Sequence, residues 1–575
     1  MATVKKAKKK KRKVLSQEER ITRRRQIRLH SDIKAFFKAI GFEYINTQDK
    51  EKEFGGIKGE LDGVYIYDNI IVLCEETLSN SHDHLRTKHD YFERILENKS
   101  ELLAWLKKLG DNKFKKFDDH LINRYKIFYV YASESNVDED TRNSYSEFKY
   151  LGPRTLKYFL KVARTIRFST RSEFFKYLGL TLEDIGNPSS SSAAKNIDAA
   201  VIVPESSSGF PEGVHVVSFV MKAQELLDCA YVFRRDNWES QLGQYYQRLM
   251  DKPKIEKIRA HLAKEGRTFI DNIIVSLPEG TAFSKIDNKK RTDIDISSFA
   301  SISNVQISIP YKINSIGIID GQHRVYGHYE GSDVHERKIK ALREKRHLFV
   351  SGIFYDENKF DDLKKRTFES SLFLQMNSTH KKVNTDLIQF IETLKSPLSP
   401  VGVAGNVLMR LNKKSPFLDL FQLSPLDKGG IRTPTIIKYG LQSVVEINQE
   451  KETLFKYWKN THKSSLHGSK PSKAYEAYIS FCADALSVYF SAVKCNNKAA
   501  WNLDKDNRLL SSTAIVAFLR SFSASLKKYK GVKDFEFYNG KLKQLNQSFS
   551  KAGFAKYGSS HWRGLSEKID KECWT

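Results

Sequence analysis

Two stretches of the chain bring together side chains capable of chemistry. In GELDGVYIYDNIIVLCEET, residues 59–77, two strand-like runs meet tightly at Asp68-Asn69. A turn at that point pairs Tyr67 with Ile70 and, counting outward, Asp62 with Glu75. Two carboxylates facing each other across a hairpin can share a divalent cation, and burying them together without a cation or a proton is unfavourable. Glu60 precedes Asp62 by two residues, and Glu43, Glu51 or Glu53 is a further candidate carboxylate. A solvated strand terminus is the plainer alternative for the same residues.

The second stretch, SIGIIDGQHRVYGHYEG at 315–331, is an apolar strand that stops at Asp320 and turns at Gly321 into a polar helix start. Unpaired amides at a helix N-terminus attract anions, and the helix dipole adds about 0.3–1 kcal/mol for a nearby negative charge. Arg324 can fork onto phosphate, and His323 can donate a hydrogen bond or carry a proton. Asp320 can cap the helix, or hold a metal or a ribose hydroxyl. The alternative is a capped helix whose arginine pairs with a neighbouring acid. His323 and His328 are five residues apart, off the four-residue spacing that sets two ligands on one helical face.

The elements that must position these groups are readable from periodicity. Ser16 can cap a helix that runs to Gly41, with Glu18 and Glu19 in its first turn and Ile27, Ile33, Phe36, Phe37 and Ile40 at helical spacing. The hairpin follows, then a helix-prone stretch from His84 to Leu109, the strand YKIFYVYAS, and helical RTLKYFLKVARTI and RSEFFKYLGL. A Ser-rich linker, NPSSSSAAKN at 187–196, separates this part from the strands VHVVSFVM, NIIVSLP, NSIGIID and HLFVSGIFY. Helical segments such as SQLGQYYQRLM and PKIEKIRAHLAKEG lie between those strands. The last third, including AYEAYISFCADALSVYFSAV and SSTAIVAFLRSFSASLKKY, is expected to be all-α. Within it, SSHWRG and NKAAWNLDKDNR combine aromatic and basic groups suited to base stacking or phosphate contact, or to plain helix packing.

The formal charge is +27 over 575 residues. Eight Lys and Arg sit in KKAKKKKRKV at 5–14, a disordered, phosphate-seeking arm that includes Lys8, Lys9, Lys10, Lys11, Arg12 and Lys13; the remainder still carries +19. An excess of this size favours a polyanionic partner, and nucleic acid is the first to consider. No apolar run approaches the ~20 residues that cross a bilayer, so no membrane role and a cytoplasmic, nucleoid-associated location are expected. Five scattered cysteines, with no Cys-x-x-Cys, argue against a zinc ribbon or a disulfide framework.

IIDGQHRVYG closely resembles the signature of DGQHR-domain proteins, the group containing the DndB-like proteins of DNA phosphorothioation systems, which is similar in turn to the ParB/sulfiredoxin fold. YYQR (245–248), FIDNIIVSL (269–277) and LQMNSTHKKVN (374–384) match in the expected order, over about 200 residues. The resemblance implies an α/β domain that binds ATP or another nucleoside triphosphate. Gly321, Gln322, His323 and Arg324 would contact phosphate, Asp320 and His323 would serve the chemistry, and Arg248, Asn377, Thr379 and Lys381 would line the pocket. The Asp62–Glu75 pairing, in turn, resembles the core of PD-(D/E)XK nucleases, in which such a pair binds Mg²⁺ or Mn²⁺ for phosphodiester cleavage. Those proteins usually carry Lys two residues after the Glu, where this chain has Thr77, which cannot donate positive charge. Lys88, on the following helix, is the candidate replacement; His82, His84 and His89 are near it.

The expected organisation is therefore a multidomain α/β chain: a basic arm (1–14), a restriction-endonuclease-like domain (15–186), the linker (187–196), a ParB/sulfiredoxin-like DGQHR domain (197–400) and a helical region (401–575). The expected role is a DNA-associated protein of a DNA-modification or antiphage-defence system, with other proteins of that system as possible partners. The rival expectation is a nucleotide-responsive DNA-binding regulator that does not cleave.

Overall fold

Ser16 caps the first helix, α1 (Gln17–Ala39): its Oγ accepts from the Glu19 N–H at 3.1 Å, and the Glu19 carboxylate accepts from the Ser16 N–H at 2.7 Å. Gly41 ends the helix in the left-handed region, φ 86°. Ile33, Phe36, Phe37 and Ile40 are buried as their spacing implies, but Ile27 is 59% exposed, because the first turns of α1 run in solvent.

In the computed structural model, described residues are 16–78, 82–110, 112–135, 137, 139–186, 194–232, 250–287, 290–295, 301–356, 358–378, 389, 392–393, 396–423, 430–461, 463–467, 473–557 and 561–574. The chain divides into two compact units, residues 1–164 with 183–189, and residues 165–182 with 190–575. Mixed α/β architecture is present in both.

The first unit has strands β1 (Glu43–Ile45), β2 (Lys52–Phe54), β3 (Ile57–Gly59), β4 (Gly63–Tyr67), β5 (Ile70–Thr77), β6 (Lys126–Ser133) and β7 (Lys149–Leu151). Five form one sheet in the order β1-β4-β5-β6-β7, and β2 and β3 make a separate hairpin. β1, β4 and β5 are an antiparallel meander; β6 and β7 continue parallel to β5. The parallel step from β5 to β6 requires a crossover, supplied by α2 (His82–Glu97) and α3 (Lys99–Gly110). Tyr67 pairs with Ile70 and Gly63 with Cys74, so the hairpin has the register its turn implies. Asp68 takes the left-handed conformation that a two-residue turn needs, φ 54°.

β5 is buried along nearly its whole length. One face meets the α2 side, where Ile71 and Leu73 join Leu85, Phe92 and Tyr129. The other meets α1, with Phe37 stacked on Tyr65 at 3.9 Å. A strand packed on both faces reads as a continuous apolar run, as IIVLC does.

The second unit has a nine-stranded sheet of β8 (Ala194–Val203), β9 (Val214–Lys222), β10 (Ala230–Val232), β11 (Ile273–Ser276), β12 (Ala282–Asp287), β13 (Lys290–Ile294), β14 (Ser303–Pro310), β15 (Ile316–Asp320) and β16 (His347–Tyr355), in the order β10-β15-β11-β16-β9-β8-β14-β12-β13. β8 starts inside the stretch read as linker, because Ala194, Lys195 and Asn196 already pair with Pro310, Ile309 and Ser308 of β14. The 401–575 region is built from helices Pro400–Leu411, Lys473–Asn496, Ser512–Tyr529 and Trp562–Cys573 around one core, with a two-residue strand pair, Phe421–Gln422 and Ile431–Arg432, as its departure from an all-α expectation. The five cysteines are free, four of them buried. Among the described residues no helix is long and apolar enough to cross a membrane.

Candidate functional site

Alternation along β5 sends Glu75 toward α2 and Glu76 toward α1, and both are 5% exposed. They are not a solvated strand end. On the α2 side, Lys88 Nζ lies 2.7 Å from Glu75 Oε2, and His84 Nε2 lies 3.2 Å from Glu75 Oε1. Lys88 also donates to the Glu60 carbonyl at 3.1 Å, while His84 Nδ1 lies 3.0 Å from the Tyr131 hydroxyl. Asp62, at the mouth of the same hairpin, accepts the Glu76 backbone N–H at 2.6 Å through Oδ2. The structure thus brings Asp62, Glu75 and Lys88 to one strand end. His89 faces elsewhere, toward Glu147 and the rings of Tyr145 and Phe148. The His82 side chain lies outside the described residues.

On the α1 side, His30 Nδ1 lies 3.0 Å from Glu76 Oε2 and 3.1 Å from Oε1, and Gln26 donates to the Glu76 carbonyl at 3.1 Å. Gln48 approaches the same His30 nitrogen at 3.4 Å. Glu76 and His30 were not among the residues expected at the site. The only sequence signal for them was a second acid directly after Glu75, and in a strand that neighbour belongs to the opposite face.

The electrostatics follow from burial and crowding. Burial, then the Glu75 charge, pushes Asp62 up to about 6. Burial, then Asp62 and Glu75, pushes Glu76 up to about 8. Burial, then Lys34, lowers His30. At neutral pH Glu76 and His30 therefore form a neutral hydrogen-bonded pair, while Glu75 is ion-paired with Lys88.

Whether this centre suits a divalent cation can be judged from its donors. They are carboxylate oxygens, the ligands preferred by Mg²⁺ and Mn²⁺. Glu75 Oε2 is buried and, its ion pair with Lys88 aside, accepts no hydrogen bond among the described residues. Crowded carboxyls held above their ordinary range are what a cation would relieve. The residues fit. Glu43 and Glu53 do not join the centre: Glu43 lies 3.4 Å from Lys116, and Glu53 sits in the β2–β3 hairpin with an exposed side chain.

In the second unit, β15 delivers Asp320 beside β11, and Gly321 caps the helix Gln322–Tyr326 with φ 90°. A Cβ at Gly321 would stand 2.7 Å from Ile273 Cδ1 and 3.0 Å from Arg324 Nη2, so glycine is required here. The helix has only five residues, which limits the dipole available to an anion. Arg324 is turned onto the protein: Nη2 donates to the Asn272 carbonyl at 2.7 Å and lies 3.4 Å from Asp320, and Nη1 lies 3.5 Å from Asp271. His323 Nε2 accepts the Asp251 N–H at 3.3 Å. Gln322 Oε1 and Arg324 Nε are buried without a hydrogen-bond partner among the described residues. Buried orphans of this kind ordinarily meet water or ligand.

Asn377 falls in the last turn of the helix Asp362–Ser378, not in a loop. Arg248, Thr379, Lys381 and the arm residues Lys8, Lys9, Lys10, Lys11, Arg12 and Lys13 lie outside the described residues.

Sequence reading missed what stands behind DGQHR. Arg259, 1% exposed, donates to Asp333 at 2.6 Å and to the Tyr329 carbonyl at 2.7 Å, and pairs with Glu336. Arg343, also buried, donates to Glu336 at 2.8 Å and to the carbonyls of His328 and Tyr329 at 2.9 Å. Burial lowers His328 to about 4, so the imidazole is neutral; its Nδ1–H donates to the Arg324 carbonyl at 3.0 Å. This lattice fixes the HYEG segment that follows the signature.

Comparison of the chain with protein-family models, curated proteins and solved structures gives no match.

Proposed function

We propose that the first unit is a divalent-metal-dependent DNA endonuclease centre of the PD-(D/E)XK type, with Asp62 and Glu75 as the metal ligands and Lys88 in place of the lysine missing at Thr77. The observation that carries this reading is the convergence of Asp62, Glu75 and Lys88 at one buried strand end. Mg²⁺ or Mn²⁺ at such carboxylates would supply Lewis acidity and a more acidic water. The chain's own residues do the rest. Lys88, held by the Glu60 carbonyl, places a positive charge where the attacked phosphate becomes more negative. The Glu76 N–H fixes Asp62, and Gln26 and His30 fix Glu76 from the opposite face, so the ligands are set before substrate arrives.

The second unit, on this proposal, is a DGQHR domain of ParB/sulfiredoxin-like fold that binds ATP or another nucleoside triphosphate. Support comes from the tight glycine turn at the end of β15 and from the orphaned Gln322 Oε1 and Arg324 Nε beside it. Nucleotide turnover would gate cutting, in a DNA-modification or antiphage-defence setting close to the nucleoid. The charge of +27 suits DNA as the substrate.

One observation favours a second reading, a nucleotide-responsive DNA-binding regulator. Thr77 stands where the lysine belongs, and Lys88 is already neutralised by Glu75. Incubating the full chain with labelled DNA and Mg²⁺ or Mn²⁺, with and without ATP, separates the two. Cutting supports the nuclease; tight, nucleotide-sensitive binding without cutting supports the regulator.

A further inference from the structure

The positive charge outside the basic arm is unevenly distributed. Residues 401–575 carry 28 Lys and Arg against 14 Asp and Glu, a net of +14, leaving about +5 for the much longer stretch from 15 to 400. The helical region, which the proposed nuclease centre does not use, is the electropositive body of the protein.

On it, one surface combines that charge with aromatic rings. Trp562 opens the helix Trp562–Cys573, with its indole packed against the region's core. Two guanidiniums flank the ring, Arg520 at 5.2 Å and Arg563 at 5.3 Å from its centroid. Tyr439 lies beside it, the two rings 28° from parallel with centroids 6.4 Å apart, and is 41% exposed. Lys438 Nζ is 5.3 Å from the Tyr439 ring. No ion pair joins Arg520, Arg563 or Lys438 to an acid among the described residues. Arg520 is held in place by donating to the Tyr439 carbonyl at 2.6 Å; burial, then Arg563, lowers its pKa.

Local structure explains the display. Residues Ile436–Leu441 form a π-helical turn, a rare conformation concentrated at functional sites. Gly440 lets it press on the helix Ser512–Tyr529: a Cβ there would stand 2.6 Å from Leu519 Cδ1. The widened turn leaves Lys438 and Tyr439 facing solvent. By contrast, Trp501, in the other aromatic-basic stretch, donates to the Pro416 carbonyl at 3.3 Å and packs on Phe417, an ordinary anchor.

We propose that Tyr439, Trp562, Arg520, Arg563 and Lys438 form a binding surface for single-stranded nucleic acid, with an unstacked base on the exposed part of the Tyr439 ring and the adjoining phosphates on the three cations. Two guanidiniums and an ammonium without an acid partner call for a polyanion, and an exposed ring among them suits a strand whose bases are free to stack. The surface stands independently of the carboxylate centre.

Fluorescence anisotropy on the full chain tests it, using an oligothymidine strand of about twenty nucleotides and an abasic strand of equal length. Tyr439→Leu is expected to weaken oligothymidine binding roughly tenfold and leave the abasic strand unaffected, with Tyr439→Phe restoring affinity. Arg563→Gln is expected to weaken both strands and reduce the salt slope by about 0.7. The exposed Lys505→Gln, an equal charge loss elsewhere on the region, is expected to stay within about twofold of wild type. Unchanged binding by Tyr439→Leu, equal losses on both strands, or a Lys505→Gln effect as large as that of Arg563→Gln overturns the proposal. Should Tyr439→Leu lose its cooperative melting transition, Arg563→Gln with the Lys505→Gln control decides alone.

Discussion

Lys88 and Glu75 meet at 2.7 Å although they belong to different elements, the acid at the end of β5 and the lysine in the second turn of α2. The pairing predicts a division of labour. Removing the ammonium leaves Glu75 and Asp62 free to hold a cation, so Lys88→Ala should bind Mn²⁺ at least as well as wild type. Asp62→Ala and Glu75→Ala should each lose it. Thermal stabilisation by Mn²⁺ is the readout: a site filled to a hundred times its Kd stabilises by about 2.7 kcal/mol.

Much of this centre was legible in the sequence. The Asp68-Asn69 turn and the apolar run of β5 fixed the register, and with it the juxtaposition of Asp62 and Glu75. Lys88 was reachable because a helix after that strand must fold back over the sheet. Glu76 was not, since its role depends on His30, forty-six residues away on a helix packed against the other face. Ile27 was misplaced because periodicity cannot say where a helix runs past its support. Around DGQHR, the strand and the glycine turn were legible. The attachment of Arg324 to Asn272 was not, because it joins positions fifty-two residues apart.

The crowded carboxyls make the first unit sensitive to pH. Asp62 and Glu76 have folded-state pKa values raised to about 6 and about 8, above their ordinary values of 3.8 and 4.5. The folded state therefore binds more protons, and the penalty is absent below the ordinary values and complete above the raised ones. Stability should fall as pH rises from about 4 to 8. Glu76→Gln, which keeps a hydrogen-bonding group without the charge, should flatten that slope and stabilise the protein at pH 8 by on the order of a few kcal/mol. Denaturation followed across that range checks it.

In the second unit, Arg259→Met should be severely destabilising. It strips Asp333 of its cation and leaves Glu336 to Arg343 alone, at a cost of about 2–4 kcal/mol. Urea unfolding of the full chain measures this, and a loss below about 1 kcal/mol would show that the lattice does not hold HYEG in place.

Deleting residues 1–14 should lower DNA affinity and flatten its salt dependence without altering sequence preference, because phosphate contacts carry no base information. Binding titrations at several salt concentrations on two unrelated duplexes test both halves of that expectation.

If Asp62, Glu75 and Lys88 form one cutting centre, cleavage of labelled DNA in Mn²⁺ or Mg²⁺ by the wild-type chain and the three alanine variants, with Mn²⁺ binding followed in parallel, will show it most directly. The wild type is expected to cut, Asp62→Ala and Glu75→Ala to lose both metal and cutting, and Lys88→Ala to keep the metal and lose cutting alone. A wild-type protein that binds DNA tightly, cuts no substrate with any divalent ion and is indifferent to all three substitutions would contradict that expectation.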